Sequence, residues 1–587
     1  MYFGKIKIAS ILFLNILLAV PINIKCQSFA VNSSYHELVY VHLNKLIYVA
    51  GEQVRYRAFV VDPLATDHKS CSKILYFTLT SNKDKNQVSW RINLEDKPEM
   101  CYFTLPDNMK PGMYVLSAYT NLMRNIPDSY YSQNVLILSL SESTPDTIKV
   151  NSGRDSISEL NNTSDNYNAG VSVKPSKAVY LVREKARIAI ALDFDRTADI
   201  SISVSLENPI GKSINRKNII ACFNQDSQGN IKNMNADNFK SMRFKYSRED
   251  HTFILSGRIR SRKDNSPLVS GKIFISVIDS MAPRIKYSKT DSAGNFIFYL
   301  DKLYDNKKVI LQFADQNKFT EYYWELDSKT PDQTKLASSL YLLKPEEKAF
   351  LNEASKLRLI DAVYTSSNPK TNSEEITRGT NYFSPPTLVV IPAEYFDLVN
   401  FKEITDNILP LVKFGMKNGN YYVQILNEKT AIWKENSIVL LNGVPFTDLA
   451  YIATLGTKDI KRIEIIGPVF LIGDIIYTGL VSIYTYDNKI PDNYLKNNSV
   501  TFKNTVISNS MAVENEMNEM NEKNTQNYPD FRNCLFWKSS IVLKGHENLN
   551  LEFPVSGLTG KFIINVEGVN QDGHPVSAAS SFEVKEK

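Results

Sequence analysis

Apolar and polar residues alternate along most of this chain, and the first clear example flanks residues 50–52. The apolar positions are Val39, Val41 and Leu43 before this point, and Val54, Tyr56, Ala58 and Val60 after it. A period of two residues is typical of a strand with one buried face. Gly51 can supply the unusual backbone angles of a tight turn. The pattern predicts a strand, a turn and a returning strand, within a first module at 27–140.

The same pattern begins again near residue 172 and predicts a second module at 170–245. The matching pairs are Lys45 and Lys177, Tyr48 and Tyr180, and Glu52 and Glu184. Arg183 stands where Gly51 stood, so we expect a different turn in the second copy. Repetition of one strand pattern predicts an array of similar extended modules.

The sequence pattern at 253–330 predicts a third module built of strands. Residues 291–294 supply the turn chemistry before a predicted strand from Asn295 to Leu300. We interpret Asp291 as a carboxylate that caps this turn, since the calcium-ligand alternative lacks the EF-hand spacing.

One helix is predicted at 344–364, with Pro345 at its start and acidic residues in its first turn. An apolar stripe follows helical spacing at Phe350, Leu351, Ala354, Leu357 and Ile360. Such a stripe usually packs on a neighbouring domain, because a membrane-binding helix would carry more basic residues on the opposite face.

A small α+β domain is predicted at 380–490. Asn442-Gly443 indicates a hairpin turn between apolar runs, and residues 457–459 lead into a strand from Ile460 to Ile466. Polar stretches at 141–169 and 496–530 indicate linkers, the second of them flexible. The last segment, 531–587, predicts a final small β-sandwich.

Length and composition agree with this organisation. A chain of 587 residues is too long for one core, so several domains are expected. Aromatic residues make up 11%, which favours β-rich domains. A net charge of +5 over this length gives no reason to expect nucleic acid as a partner.

The N-terminus has Lys5 and Lys7 before a largely apolar run from Ile8 to Ile22. The run is shorter than the ~20 residues that a membrane span needs, so residues 1–26 are predicted to be a signal peptide. Lipidation of Cys26 stays open, although Lys25 precedes it where a lipobox wants Gly, Ala or Ser. We expect an exported protein without a transmembrane span, in the periplasm or associated with the outer membrane.

If Cys26 is removed, the remaining cysteines are Cys71, Cys101, Cys222 and Cys534. Cys71 and Cys101 belong to one predicted domain and could pair in an oxidising compartment. So few cysteines do not make a disulfide scaffold, and the domains must be held together by their cores.

Residues 48–54, YVAGEQV, resemble the strand-turn-strand opening of a macroglobulin-type β-sandwich, with Ala50 in place of the usual proline. Residues 51–53 also match three letters of the Gly-Cys-Gly-Glu-Gln signature that forms an internal thioester in complement-type macroglobulins. The residue before Gly51 is Ala50, and the nearest cysteines are Cys26 and Cys71. Thioester chemistry is therefore excluded.

Two further segments resemble known domains. Residues 253–330 are similar to the carboxypeptidase-regulatory type of β-sandwich. Residues 380–490 resemble the plug domain of TonB-dependent outer-membrane receptors, through the motifs LLNGVPF and DIKRIEIIGPVF. This combination resembles large envelope proteins of the Bacteroidota. It implies a mainly β fold class: a multidomain array of immunoglobulin- or macroglobulin-like β-sandwiches with a small α+β plug-like domain.

Motifs of enzyme chemistry are weak. Gly211-Lys212-Ser213 copies the end of a phosphate-binding loop, but the position of the first glycine is Leu206. The 6 histidines lack metal-ligand spacing, and His42 is interpreted as an ordinary strand residue. We predict no catalytic, cofactor-binding or metal-binding residues, no cofactor and no enzyme activity.

Three functions remain open. The first is a non-enzymatic envelope scaffold or binding protein, with a protein partner in the outer membrane or periplasm. The second is an accessory component of a TonB-dependent transport system, with the plug-like domain contacting a barrel formed by another chain. The weakest is a macroglobulin-like protease trap without a thioester.

Overall fold

A computed structural model of the chain describes residues 37–586, except 63–70, 82–86, 95–100, 127–128, 140–145, 152–169, 211–213, 215, 230–244, 251, 280–283, 316–317, 329–337, 365–384, 428–430 and 505–529. The predicted signal peptide, Cys26 and residues 211–213 lie outside the described residues. The described strands form ten sheets, which confirms the predicted mainly β, multidomain fold class. None of the described helices combines the length and apolar character that crossing a bilayer requires.

Eight strands build the first sandwich: β1 (Leu38–Leu43), β2 (Ile47–Val49), β3 (Gln53–Val61), β4 (Ile74–Ser81), β5 (Gln87–Asn93), β6 (Tyr102–Thr104), β7 (Gly112–Thr120) and β8 (Tyr131–Leu138). They form sheets in the orders β1-β3-β6 and β2-β8-β7-β4-β5. Between the sheets, the Trp90 ring stacks on Phe77 at 5.2 Å and contacts Phe103 at 4.1 Å between centroids. A 3-10 helix at Leu122–Asn125 links β7 to β8.

The predicted linker at 141–169 contains a strand, β9 (Thr147–Asn151). The second module then begins with β10 (Val171–Pro175), β11 (Val179–Leu181), β12 (Lys185–Leu192), β13 (Ala198–Leu206) and helix α1 (Ile219–Gly229). In β12 every second side chain is buried, as its alternation predicts. Helix α1 was not anticipated from the sequence, and it packs against β1 of the first sandwich.

The third sandwich comprises β14 (Phe253–Ser261), β15 (Lys272–Val277), β16 (Ile285–Lys289), β17 (Asn295–Leu300), β18 (Lys308–Phe313), helix α2 (Lys318–Glu321) and β19 (Tyr322–Leu326). A 3-10 helix at Lys302–Tyr304 precedes β18. One sheet has the order β17-β14-β19, and the other contains β16-β15-β18. The predicted strand from Asn295 to Leu300 is confirmed.

Strand β20 (Ser338–Leu342) pairs with β9, so the segment after the third sandwich returns to the segment after the first. Helix α3 (Pro345–Tyr364) follows and confirms the predicted helix. Its Leu351 is fully buried, and Phe350 and Ala354 pack against the same apolar cluster as the first sandwich. The predicted stripe therefore packs on a neighbouring domain at these positions.

The α+β unit, residues 388–485, contains β21 (Leu388–Val390), a 3-10 helix (Pro392–Glu394), α4 (Phe401–Ile408), β22 (Val412–Lys417), β23 (Asn420–Asn427), β24 (Ile432–Lys434), β25 (Ile438–Leu441), β26 (Val444–Pro445), α5 (Leu449–Ala453), β27 (Ile460–Ile466), β28 (Phe470–Ile472), β29 (Ile475–Tyr477) and β30 (Leu480–Thr485). Its main sheet has the order β21-β27-β30-β25-β26. The predicted strand from Ile460 to Ile466 is confirmed, as is the turn at Asn442-Gly443, where both residues have positive φ angles of 48° and 82°.

The predicted flexible linker at 496–530 differs from the structure at its beginning. Helix α6 (Asp492–Asn498) and strand β31 (Val500–Lys503) cover 492–503, and β31 pairs with the edge strand β18 of the third sandwich. The polar composition that indicated a linker is that of an exposed edge strand here. Residues 505–529 lie outside the described part.

The last strands are β32 (Cys534–Leu543), β33 (Asn548–Pro554), β34 (Gly560–Asn570) and β35 (Pro575–Lys585). They complete the second sandwich, whose sheets have the orders β10-β12-β33 and β11-β35-β34-β13-β32. This differs from the two separate sandwiches predicted at 170–245 and 531–587. Alternation reveals which face of a strand is buried, but it does not reveal which distant strand pairs along its edge.

Candidate functional site

The stretch that resembles a thioester motif is a sandwich turn. Gly51 has a φ angle of 81°, and the Glu52 backbone N–H donates to the Val49 carbonyl at 3.0 Å. The Glu52 carboxylate accepts from the Val49 N–H at 2.9 Å and pairs with Lys45. These bonds give the lysine and glutamate of the repeated motif a structural role.

The second copy forms the same turn, so the prediction of a different one is wrong. Arg183 takes the left-handed conformation with a φ angle of 64°. The Glu184 N–H donates to the Leu181 carbonyl at 3.0 Å, and the Glu184 carboxylate accepts from the Leu181 N–H at 2.9 Å and pairs with Lys177. The repeated spacing therefore encodes one turn that tolerates a non-glycine residue.

His42 lies beside two serines in the interface between the first and second sandwiches. Its Nδ1 is 2.6 Å from the Ser201 hydroxyl, and its Nε2 is 3.0 Å from the Ser203 hydroxyl. Burial, and then the charge of Arg216, hold the pKa of His42 well below its ordinary value. A histidine can activate a serine nucleophile. However, all three side chains are fully buried, so a substrate cannot reach them.

A buried carboxyl group lies in the same interface. Glu567 of β34 accepts a hydrogen bond from the Ile219 N–H at 3.1 Å, at the start of α1. Burial raises its pKa to about 8, against smaller opposing effects that include the charge of Arg216. Arg216 itself donates to the Leu43 carbonyl of the first sandwich. We call five of these residues together the polar seam: His42, Ser201, Ser203, Arg216 and Glu567.

No disulfide joins Cys71 to Cys101 in the described part of the chain. The Cys101 carbonyl accepts from the Tyr56 N–H of β3, whereas the residue after Cys71 bonds to Glu37 near Val61, at the far end of β3. Five residues of strand separate these points by roughly 16 Å. The two cysteines therefore lie towards opposite ends of β3, in keeping with the absence of a disulfide between them in the described residues.

Asp291 caps its turn, as predicted. One carboxylate oxygen accepts from the N–H groups of Ala293 and Asn295, both at 2.8 Å, and the other accepts from the Asn295 side chain at 2.9 Å. Burial acts to raise the pKa of Asp291, but these hydrogen bonds to the charged form together outweigh it and lower the pKa. Nowhere among the described side chains do three possible metal ligands come together.

The feature best suited to recognition is the open edge of the main sheet in the α+β unit. Among the strands that the structure describes, β21 has one neighbour, β27. Strand β21 and the residues that follow it carry five large apolar side chains, each between 41% and 68% exposed: Val389, Ile391, Tyr395, Phe396 and Val399. We call these five side chains with strand β21 the apolar edge.

Buried neighbours hold the apolar edge in place. The Leu398 N–H donates to the Thr457 hydroxyl at 3.2 Å, and the Thr457 N–H donates back to the Leu398 carbonyl at 2.9 Å. Asn400 caps α4 by accepting from the Glu403 N–H at 2.9 Å, and the Glu403 carboxylate accepts from the Val399 N–H at 3.1 Å. The helix cap and the two hydrogen bonds between Leu398 and Thr457 thus position this segment before any partner arrives.

Sequence reasoning missed the apolar edge. The apolar run from Leu388 to Ile391 is typical of a strand buried on both faces. In the structure only Val390 of this run is buried. The signal that could have revealed the exposed edge is Pro392, because proline often marks the end of a short edge strand.

No protein-family profile matches the chain, and no curated protein sequence matches it. Solved structures that align with it include E. coli alpha-2-macroglobulin in its native conformation and Salmonella alpha-2-macroglobulin reacted with methylamine, each at 8% identity over 94% of this chain with a TM-score of 0.22. This chain spans 40% of the length of either macroglobulin.

Another similar structure is a tetra-tandem repeat from the extending region of a large adhesion protein, at 8% identity and a TM-score of 0.12. It aligns with 94% of this chain. Scores this low carry no argument about how the modules are arranged or what they bind.

Proposed function

We propose that this chain is an exported, non-enzymatic binding or scaffold protein of the cell envelope, in which macroglobulin-like sandwiches carry a plug-like docking domain. The apolar edge is the observation that carries this proposal. Its partner would be another protein that presents an extended strand, because an open sheet edge offers backbone groups for strand addition.

The geometry of the apolar edge supports a strand as the partner. Strand β21 offers backbone groups along one side, and the side chains of Tyr395, Phe396 and Val399 continue the surface beyond its end. Burying a half-exposed aromatic or aliphatic side chain contributes about 1 kcal/mol. Because the segment is already ordered by its cap and buried neighbours, little conformational entropy is lost on binding.

The predicted signal peptide and the resemblance of 380–490 to receptor plugs favour a partner in the periplasm or outer membrane. An accessory role in TonB-dependent transport is the second candidate, and it rests on that resemblance alone. The protease-trap reading is weaker still, since the turn at Ala50-Gly51 lacks the thioester cysteine.

The test is site-specific photocrosslinking of the full chain in its native envelope. A photoreactive residue at position 396 should capture a defined protein, whereas one in place of Tyr299 of the third sandwich, which is also more than half exposed, should not. The captured protein is then identified and purified. Its affinity for the full chain should fall at least tenfold with Phe396→Asp and less than twofold with Tyr299→Asp.

Each outcome decides between the hypotheses. A captured outer-membrane barrel favours the accessory role, and any other envelope protein favours the free-standing scaffold. Equal capture at positions 396 and 299, or an affinity that Phe396→Asp leaves unchanged, would refute the apolar edge as the docking surface.

A further inference from the structure

A cleft of about 520 Å³ lies between the third sandwich and the α+β unit. The two modules contact each other through a small apolar cluster that includes Phe274 of β15, Leu440 of β25 and Ile472 of β28. Phe274 also lines the cleft, so the cleft adjoins this contact. Junctions between modules are common positions for small-molecule sites, and this volume falls within their usual range.

Apolar and polar side chains share the lining of the cleft. The two phenylalanines beside Phe274 in this lining come from both modules, since Phe313 belongs to the third sandwich and Phe446 to the α+β unit, and both are nearly fully buried. The rim consists of exposed polar residues: Ser270, Asn436 and Thr447. This combination suits a ligand with an apolar body and a polar end.

One wall of the cleft is fixed across the junction. The hairpin of β28 and β29 supplies Ile475 and Tyr477 to the wall. At its turn, the Asp474 carboxylate accepts from the Tyr287 hydroxyl at 2.6 Å, from Lys272 at 3.0 Å and from Lys289 at 3.1 Å. Three contacts from one carboxylate tie the hairpin to the third sandwich, so the wall is preformed.

The charges near the cleft favour an anion. Among the charged residues that line the cleft, Lys272 and Lys318 are positive and Asp315 is negative. Lys272 and Lys289 are already paired with Asp474. Lys318 lines the cleft, and it forms no ion pair with any other residue that the structure describes. A bound acid group would supply the partner that Lys318 lacks.

We propose that this cleft binds a small anionic amphipathic molecule, with an aromatic or acyl body against Phe313 and Phe446 and an acid group at Lys318. The inference does not depend on the apolar edge, which is built from other residues of the α+β unit. It adds a small-molecule site to a chain for which we propose protein binding.

The test is fluorescence titration of the full chain with 1-anilinonaphthalene-8-sulfonate, an aromatic anion. Lys318→Glu should raise the dissociation constant at least tenfold, because it replaces an attractive charge with a repulsive one. The matched control is Lys308→Glu, which makes the same charge change outside the cleft. Lys308 lies five residues before Phe313 in β18, so the two residues are roughly 16 Å apart. It should change the constant less than twofold.

A second pair of variants tests the position independently of charge. Thr447→Trp places a bulky ring at the exposed rim and should abolish binding, whereas Thr501→Trp on the exposed strand β31 should not. Octanoate should displace the probe, and octyltrimethylammonium should not. Binding unchanged by both Lys318→Glu and Thr447→Trp, or equal displacement by the cationic competitor, would overturn the proposal.

Discussion

Replacing Glu567 with glutamine should remove a strong pH dependence from the stability of the second sandwich. The carboxyl group is buried in the polar seam, and burial raises its pKa from an ordinary 4.5 to about 8. Between these two values the folded chain keeps a proton that the unfolded chain releases. The stability contributed by this proton is complete below pH 4.5 and is lost as the pH rises towards 8.

The size of the effect follows from the two pKa values. The pKa of the unfolded carboxyl group lies about 2.5 units below pH 7. At about 1.4 kcal/mol for each unit, deprotonation therefore favours the unfolded chain by about 3 kcal/mol at pH 7. Glutamine does not titrate. The difference in unfolding free energy between Glu567→Gln and the wild type should therefore shift by about 3 kcal/mol in favour of the variant between pH 4.5 and pH 7.

His42 titrates in the same seam with the opposite trend. Its lowered pKa costs stability as the pH falls below its ordinary value of 6.5. The wild type and the Glu567→Gln variant both contain His42, so its contribution cancels when their unfolding free energies are subtracted at each pH. Arg216 and Tyr40, which also face Glu567, are likewise common to both proteins.

Urea unfolding at pH 5, 6, 7 and 8, followed by tryptophan fluorescence, measures this difference. Trp537 lies 5.1 Å from the His42 ring between centroids and therefore reports on the seam. The matched control is Glu552→Gln on β33, an exposed carboxylate whose pKa is lowered by Arg187 and Lys185. A difference for Glu567→Gln that stays flat or shrinks with rising pH would refute the reasoning.

Three further predictions concern the turns and the closure of the second sandwich. Gly51→Ala should destabilise the chain by about 2 kcal/mol, since the added Cβ would lie 2.2 Å from the Asp107 carboxylate. Arg183→Gly should be neutral or stabilise by up to about 1 kcal/mol, because glycine adopts the positive φ angle at this position without strain. Thermal unfolding of both variants measures this, and a change in the same direction for both would contradict it. Asn442→Ala should cost about 3 kcal/mol of unfolding free energy. Its buried amide accepts from the Thr485 N–H and donates to the Thr485 hydroxyl and to the Lys489 carbonyl. The control Asn418→Ala, at a similar φ angle in an exposed turn, should cost about 1 kcal/mol. Equal losses in urea unfolding would show that the buried amide contributes nothing beyond its backbone conformation. After cutting at a protease site inserted within 505–529, the two fragments should elute together in size-exclusion chromatography, because β32 and β34 both pair with β13 and β33 pairs with β12. Separation without denaturant would show that this pairing does not hold the fragments.

The sequence was informative wherever local chemistry decides the structure. The strands at 295–300 and 460–466 were predicted from their alternation and from the turn residues before them, and Asn442-Gly443 adopts the positive φ angles that a short hairpin requires. The capping role of Asp291 was predictable for the same reason, since its partners lie within four residues.

Features set by distant neighbours were not predictable. Glu567 lies in a strand whose buried apolar side chains include Phe562, Ile564 and Val566, so the alternation places Glu567 on the opposite face. That face is covered by α1 and the first sandwich, which one sequence does not reveal. The apolar edge was missed for the converse reason, because its apolar residues carry no sign that the neighbouring strand is absent.

The closure of the second sandwich by β32–β35 also bears on how the chain matures. Synthesis runs from the N-terminus, so residues 253–504 emerge while β12 still lacks one of its two neighbours and β13 lacks both. Unpaired strand edges invite aggregation and proteolysis. A chain truncated before residue 534 would therefore expose those edges, so we expect the second sandwich to fail when this distant segment is removed.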